Sequence, residues 1–326
     1  MSGPSPDPSA PERERPGRID AVPVRHPGRW AAIAVIVVLV AMLVSMLLTN
    51  PAYDWAFIFE AMRQEPVLRG LLVGTLLVTL LAMVIGVVTG VILAVMRLSP
   101  NPVLSGVAWV FTWFFRAVPR LVLLTIMGTL GIVFQQGLDI GVPFDQQILG
   151  LLGIEGDLRF FTLDANTIFA GVVGGSIGLG LSEAAYMAEI ARAGILSVDT
   201  GQREAAEALG MDKGKSMRRI VLPQAMRVIV PPTGNETISM LKDTSLLIGL
   251  PLGTELFFQL QAIGSRTYKT FEVLVAAVIY YLVMSSILMI GQYFLERRFG
   301  RGYGSGKPQA LAKALSLRGE SAGAGG

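Results

Sequence analysis

The 326-residue sequence contains no cysteine and a single histidine. The first absence excludes a disulfide framework, a thiolate metal site and a cysteine nucleophile. The lone His26 lies in a polar, proline-rich stretch. A histidine metal centre or a serine–histidine pair is therefore not expected, and no catalytic or metal residue is assigned. Charge is also scarce: 16% of residues are Asp, Glu, Lys or Arg, against about 25% in soluble domains. What the chain has in excess is apolar residues, 52% of the total, with a mean hydropathy of +0.58. The small net charge of +3 fits basic loops beside a membrane better than a nucleic-acid surface.

The apolar residues fall in long uncharged blocks, and about 20 residues suffice to cross the hydrocarbon core as a helix. Residues 1–29 hold seven prolines and few large apolar side chains, which is the composition of a disordered tail. Trp30 to Leu48 is the first expected span, ended by Asn50-Pro51. Gly70 to Met96 is the second. Val103 to about Phe134 is a third hydrophobic region, too long for one simple helix and interrupted by Arg116, Pro119 and Arg120. A loop of mixed character, 135–164, precedes a fourth span from Ala165 to Ile190. A polar stretch at about 192–223 leads to a fifth span, Ala225 to Leu250, broken by Pro231-Pro232. Phe271 to Leu295 is the sixth, and residues 296–326 read as a second disordered tail. The fold class is thus all-α, a polytopic membrane protein of about six transmembrane helices.

Lysine and arginine bias sets the expected orientation. With both termini inside, the inner segments carry Arg25, Arg29, Arg97, Arg203, Lys213, Lys215, Arg218, Arg219, Arg227, Arg297, Arg298 and Arg301. The outer segments carry Arg63, Arg69, Arg159, Arg266 and Lys269, so the ratio is twelve to five. The stretch 192–223 then faces the cytoplasm. Pairs of small residues four apart, such as Gly86 and Gly90 or Gly174 and Gly178, suit close helix packing.

The cytoplasmic stretch holds Gly201-Gln202-Arg203-Glu204-Ala205-Ala206-Glu207-Ala208-Leu209-Gly210. Glu204 to Leu209 are strong helix formers. Asp199 or Thr200 can cap the start, and Gly210 can take the left-handed conformation that ends a helix. A short helix outside the membrane follows. Its alanines, 205, 206 and 208, give a smooth face suited to a groove on another protein. The bland alternative is an amphipathic connector resting on lipid headgroups.

The spacing resembles the signature loop of the permeases of binding-protein-dependent ABC importers. That loop is Glu-Ala-Ala, three residues, Gly, nine residues, Ile, any residue, Leu-Pro. Here it is Glu204-Ala205-Ala206, Gly210, Ile220 and Leu222-Pro223. The resemblance implies a five-helix permease core over about 70–295, preceded by one extra N-terminal helix at 30–48. It also implies that the short helix docks on a separate ATPase subunit, which binds ATP and Mg. A soluble extracytoplasmic binding protein would deliver the solute, and a second permease subunit, identical or related, would complete the channel. This chain has no Gly-x-x-x-x-Gly-Lys-Ser/Thr phosphate loop and is expected to bind no cofactor and to be no enzyme. The resemblance places it in a bacterial plasma membrane.

Further matches resemble the polar amino acid branch of that family. They are Ala184-Ala185-Tyr186-Met187-Ala188-Glu189, Pro231-Pro232-Thr233-Gly234-Asn235-Glu236, Leu241-Lys242-Asp243-Thr244-Ser245-Leu246, and Phe115-Arg116-Ala117-Val118-Pro119. A permease of the same class for another small solute is the alternative. Ionised groups at a helix centre cost about 2.5–3.5 kcal/mol each, so Lys242 and Asp243 either line a polar pathway or form a structural pair. Asn235, Glu236, Thr244 and Ser245 are pathway candidates beside them. Arg116 could bind a carboxylate, but satisfying the helix ends exposed by Pro119 is the favoured role. Glu183, Tyr186 and Glu189 recur every three residues and share one helix face. A stand-alone secondary transporter would call for internal repeats, and none is evident. A membrane-embedded enzyme would need a convergent catalytic set, which is missing.

Overall fold

The computed structural model describes residues 27–153, 156–250 and 253–299. His26, Arg25, Arg301 and nearly all of the two expected tails lie outside them. Of those tails, residues 27–29 and 296–299 are helical.

The chain divides into two units, Met1–Tyr53 and Asp54–Gly326. The first contains α1 (Pro27–Thr49), whose residues from Trp30 onward carry no charge. The second unit begins with α2 (Trp55–Arg63), capped by Asp54, whose carboxylate accepts from the Phe57 N–H at 3.0 Å. Next come α3 (Glu65–Arg69), a wider π-helical stretch (Gly70–Leu77) and α4 (Val78–Arg97), which together make one apolar helix from Glu65 to Arg97.

The third hydrophobic region forms two helices, α5 (Pro102–Ala117) and α6 (Arg120–Val133), bent by 102°. The bend follows from Pro119, which disfavours helical backbone at the residue before it. Val118 is extended, with φ −92° and ψ 131°. The segment expected to be a loop is instead ordered. Strands β1 (Leu138–Gly141) and β2 (Arg159–Leu163) pair antiparallel, Leu138 opposite Leu163 and Ile140 opposite Phe161, and α7 (Asp145–Leu152) lies between them. The fourth expected span is divided at Ala170 into α8 (Ala165–Phe169) and α9 (Gly171–Leu196).

Three elements build the loop that follows: α10 (Thr200–Ala208), α11 (Lys213–Ser216) and a π turn (Met217–Val221). The fifth span is α12 (Leu222–Asp243), extended by a 3-10 turn (Thr244–Gly249). Pro231 and Pro232 do not break it, contrary to the sequence expectation. Buried neighbours and hydroxyls can satisfy the backbone that proline frees. The carbonyls left without a helical donor are those of Arg227 and Val228; beside them, Thr233 donates to the Ile229 carbonyl at 2.8 Å, and Gln292 donates to the Pro231 carbonyl at 2.8 Å, tying this stretch to α14. Helices α13 (Leu256–Thr267) and α14 (Thr270–Phe299) complete the chain.

Three helices, Gly28–Thr49, Glu65–Arg97 and Thr270–Phe299, are each long and apolar enough to cross a membrane, and the bent α5–α6 pair makes a fourth. Helices α9 and α12, of 26 and 22 residues, are also long enough. They fall short in apolarity because they carry the ionisable residues. Helix α9 is buried along much of its length between its neighbours.

Small residues make that burial possible. A Cβ on Gly90 would come within 2.5 Å of the Met187 Cβ, and one on Gly180 within 2.7 Å of the Ile85 Cβ. Helices α4 and α9 thus pack closer than larger residues allow, which matters in lipid, where apolar side chains gain little by leaving one another. One apolar cluster joins α2, α3, α13 and α14 around Ile58, Val67, Leu256 and Val273. A second joins α4, α6, α9 and α12 around Ala82, Leu124, Leu179 and Met240.

Candidate functional site: a charged layer in the helix core and an exposed rod

Arg120 is the first residue of α6, just past the bend. Its guanidinium reaches α9 and α12 together. Nη2 donates to the Glu183 Oε2 at 2.8 Å, and Nη1 donates to the Asp243 Oδ2. The guanidinium carbon also lies 4.8 Å from the centroid of the Tyr186 ring. Glu183 is fully buried. Glu236 lies about two turns before Asp243 on α12. A buried charge survives only when paired and hydrogen-bonded, and this arrangement supplies the pairing.

Lys242 does not pair with Asp243. Neighbours in sequence point to different sides of a helix, so such a pair cannot form within α12. Lys242 is exposed and Asp243 turns inward to Arg120. The structural-pair expectation is corrected in its partner, from Lys242 to Arg120. Thr244 and Ser245 use their hydroxyls locally, donating to the Leu241 and Lys242 carbonyls at 2.8 and 2.7 Å. Asn235 is exposed on α12.

A cavity of about 470 Å³ opens beside this layer, lined by Arg97, Trp109, Trp113, Arg116, Tyr186 and Glu189 among others. Arg116 lies 5.8 Å from the Tyr186 ring. Among the described residues the end of α5 is closed by backbone, with the Val118 N–H donating to the Phe114 carbonyl at 3.1 Å. The guanidinium of Arg116 thus stands at the cavity wall and not at the helix end assigned to it. Glu189 accepts from Arg192 at 2.8 and 3.0 Å and faces Arg97 at 3.8 Å. A second, apolar cavity of about 330 Å³ lies between α4, α9 and α12 and reaches Thr233, Gly234 and Thr237.

Arg120, the residue that gathers the layer, was missed as a site residue from sequence. An arginine directly after Pro119 in an apolar run is itself a signal, because such a residue is costly in a membrane unless used. The second missed group is Glu255, fully buried and capping α13. It accepts from the Phe258 N–H at 3.0 Å, the Tyr281 hydroxyl at 2.9 Å and the Thr75 hydroxyl at 3.1 Å.

The exposed rod is α10. Asp199 caps it, its carboxylate accepting from the Gly201 N–H at 2.7 Å. Its end is a left-handed turn at Gly210, φ 75°, where the Gly210 N–H donates to the Glu207 carbonyl at 2.9 Å and the Met211 N–H to the Ala206 carbonyl at 3.0 Å. This pair of bonds is the Schellman arrangement, for which glycine is suited. Asp212 then caps α11, accepting from the Lys215 N–H at 2.8 Å. That bond, and next the Lys215 ammonium at 3.0 Å, hold the Asp212 carboxyl below its ordinary range.

The alanines do not form one outward face. Ala206 is buried, while Glu204, Ala205 and Ala208 are exposed. Three and four residues apart share a helix face, so Ala206 cannot lie with both its neighbours. Leu209 joins the exposed set at 82% exposure. The rod is tied down from within: Arg203 donates to the Ile195 carbonyl at 2.7 Å, and Ile195, Val198, Val221 and Ala225 form a small apolar cluster below it. Leu222 and Pro223 stand exposed at the start of α12, where a proline's missing N–H is tolerated.

A membrane bundle of helices with charge in its core and an exposed rod at one end defines a multi-pass transport subunit. Residues 86–301 match the family of binding-protein-dependent transport system inner membrane components, and the chain belongs to that family. It is therefore the permease of an ABC importer, a transport subunit and not the ATPase. Among its relatives, the arginine transport system permease protein ArgU of Corynebacterium glutamicum is 44% identical over 292 residues, covering 88% of this chain and 85% of that protein. The probable amino-acid permease protein YxeN of Bacillus subtilis is 35% identical, covering 77% and 97%. A crystal structure of an amino acid ABC transporter with histidines is 30% identical with a TM-score of 0.57, covering 76% of this chain and 99% of that one.

Proposed function

We propose that the chain carries a polar amino acid across a bacterial plasma membrane, with both termini cytoplasmic, driven by a separate ATPase that seats α10. The ATPase subunits would hold ATP and Mg, and this chain would hold neither. An extracytoplasmic binding protein would present the solute, and a second permease subunit, identical or related, would face this one. The names of the relatives support the amino acid, and the excess of Lys and Arg on the inner segments supports the orientation.

The observation that carries the reading is the exposed face of α10. Ala205, Ala208 and Leu209 stand outward on a helix fixed at both ends by its caps and from below by Ala206. A small-residue face with one large apolar side chain fills a groove, and a rigid base transmits motion. Solute would pass the layer of Asn235, Glu236, Asp243, Glu189 and Arg116.

Co-purification tests this. Ala205→Glu and Leu209→Glu should release the ATPase while leaving the permease's thermal midpoint unchanged. Ala206→Glu should instead lower that midpoint. Retention of the ATPase by both outward variants would defeat the reading.

A further inference from the structure

From Lys213 to Asp243 the backbone stays helical without a break, through α11, the π turn and α12. Lys215, Arg218, Arg219 and Leu222 are spaced by three and four residues, so they share one face of that helix. All four are exposed. Among the described residues neither guanidinium has a partner, and the Lys215 ammonium meets only Asp212, at 3.0 Å. Leu222 also begins the wall of the apolar cavity of about 330 Å³. From there the cavity follows α12 through Met226, Ile229 and Val230 to Thr237, about 22 Å at 1.5 Å per residue. One leaflet of hydrocarbon is about 15 Å deep, so the cavity runs the depth of a leaflet. Val91 in its wall is 48% exposed, so it opens on the side of the bundle. The two hydroxyls that reach it are turned back into α12, Thr233 donating to the Ile229 carbonyl at 2.8 Å and Thr237 to the Thr233 carbonyl at 2.9 Å. A polar amino acid finds no free partner there, and a hydrocarbon chain needs none.

We propose that an anionic phospholipid of the inner leaflet binds here, its phosphate on Lys215, Arg218 and Arg219 and one acyl chain in the cavity between α4, α9 and α12. The site has cations at one end and an apolar slot starting within a turn of them, and such a lipid has the matching charge and hydrocarbon in the same order. A zwitterionic headgroup brings an ammonium of its own, which the three cations repel, so the anionic lipid is selected. The acyl chain packs against α4, α9 and α12 together and restores contacts that the walls of an empty void forfeit. The choice of the inner leaflet rests on the proposed cytoplasmic orientation of α10.

The test is native mass spectrometry of the assembled permease–ATPase complex in detergent, titrated with dioleoyl phosphatidylglycerol or dioleoyl phosphatidylethanolamine. The wild type should bind phosphatidylglycerol about fivefold or more tightly than phosphatidylethanolamine. The triple variant Lys215→Gln, Arg218→Gln, Arg219→Gln should lose that preference and bind phosphatidylglycerol about tenfold or more weakly, since each basic group adds to the attraction. Val91→Phe fills the cavity from an exposed position and keeps every charge, so it should weaken both lipids about fivefold or more. It decides the matter if the triple variant does not fold. Millimolar glycerol 3-phosphate should leave the bound lipid in place. The proposal is overturned if the wild type binds the two lipids alike, if the triple variant keeps the preference, or if Val91→Phe binds both lipids as the wild type does. Displacement of the lipid by glycerol 3-phosphate also overturns it, leaving a site for phosphate alone. If the triple variant sheds the ATPase while the permease that remains binds phosphatidylglycerol unchanged, the basic face belongs to the ATPase and the proposal fails. These titrations need no membrane, so their failure leaves the orientation of α10 standing; a reversed orientation would show in thiol labelling of Leu209→Cys and not here.

Discussion

A Cβ placed on Gly86 of α4 would come within 2.7 Å of the Glu183 Cγ on α9. The backbone of one helix thus sets the position of the buried carboxylate on the next. Gly86→Ala should push Glu183 off Arg120 and lower stability by about 1–3 kcal/mol, the usual cost of overpacking. Gly106→Ala is the control, because a Cβ there meets nothing within 4 Å. It should be neutral or stabilising by up to about 1 kcal/mol, since alanine favours a helix. Thermal unfolding of the two variants in one detergent checks the difference.

Glu255 holds three elements at once: its own helix through the Phe258 N–H, α14 through Tyr281 and the π-helical stretch through Thr75. Glu255→Ala removes the cap and strands the buried Thr75 hydroxyl and the half-buried Tyr281 hydroxyl, so it should cost about 2–4 kcal/mol. Tyr281→Phe deletes one donor and should cost about 1 kcal/mol. In a double-mutant cycle the two losses should not add, because they share a bond.

Asp54 accepts from the Lys269 ammonium at 2.6 Å, and Lys269 also lies 4.2 Å from the Phe57 ring. The bond to Lys269 first, and then that from the Phe57 N–H, hold the Asp54 carboxyl below its ordinary value of 3.8. A lowered carboxyl contributes stability above its unfolded pKa and loses it as the pH falls through the folded value. The protection of the α2 amides, corrected for the intrinsic pH dependence of exchange, should therefore be flat at neutral pH and fall below about pH 4. Asp54→Asn should lower that protection at neutral pH and abolish its loss in acid.

The signature loop was legible because its information is local. Asp199, Glu204, Gly210 and Pro223 each act within a few residues, as a cap, a helix former, a left-handed stop or a first-turn proline. The long apolar blocks were legible for the same reason. The charged layer was not. Arg120 finds Asp243 across 123 positions and Glu183 across 63, and no spacing rule in a single sequence links them. Helices α2 and α13 were missed because they are short, 9 and 12 residues, and owe their ends to Asp54 and Glu255. Pro231 and Pro232 misled because local chemistry says break, while α12 runs on through them, held to α14 by Gln292 at the Pro231 carbonyl.

The central claim is that the outer face of α10 lies on the cytoplasmic side and seats the ATPase. The native chain has no cysteine, so Leu209→Cys supplies a single thiol on a silent background. A membrane-impermeant maleimide should label that variant in inverted vesicles stripped of the ATPase and fail to label it in intact cells. Restoring the ATPase should suppress the labelling severalfold. Labelling in intact cells, or labelling indifferent to the ATPase, would contradict the account.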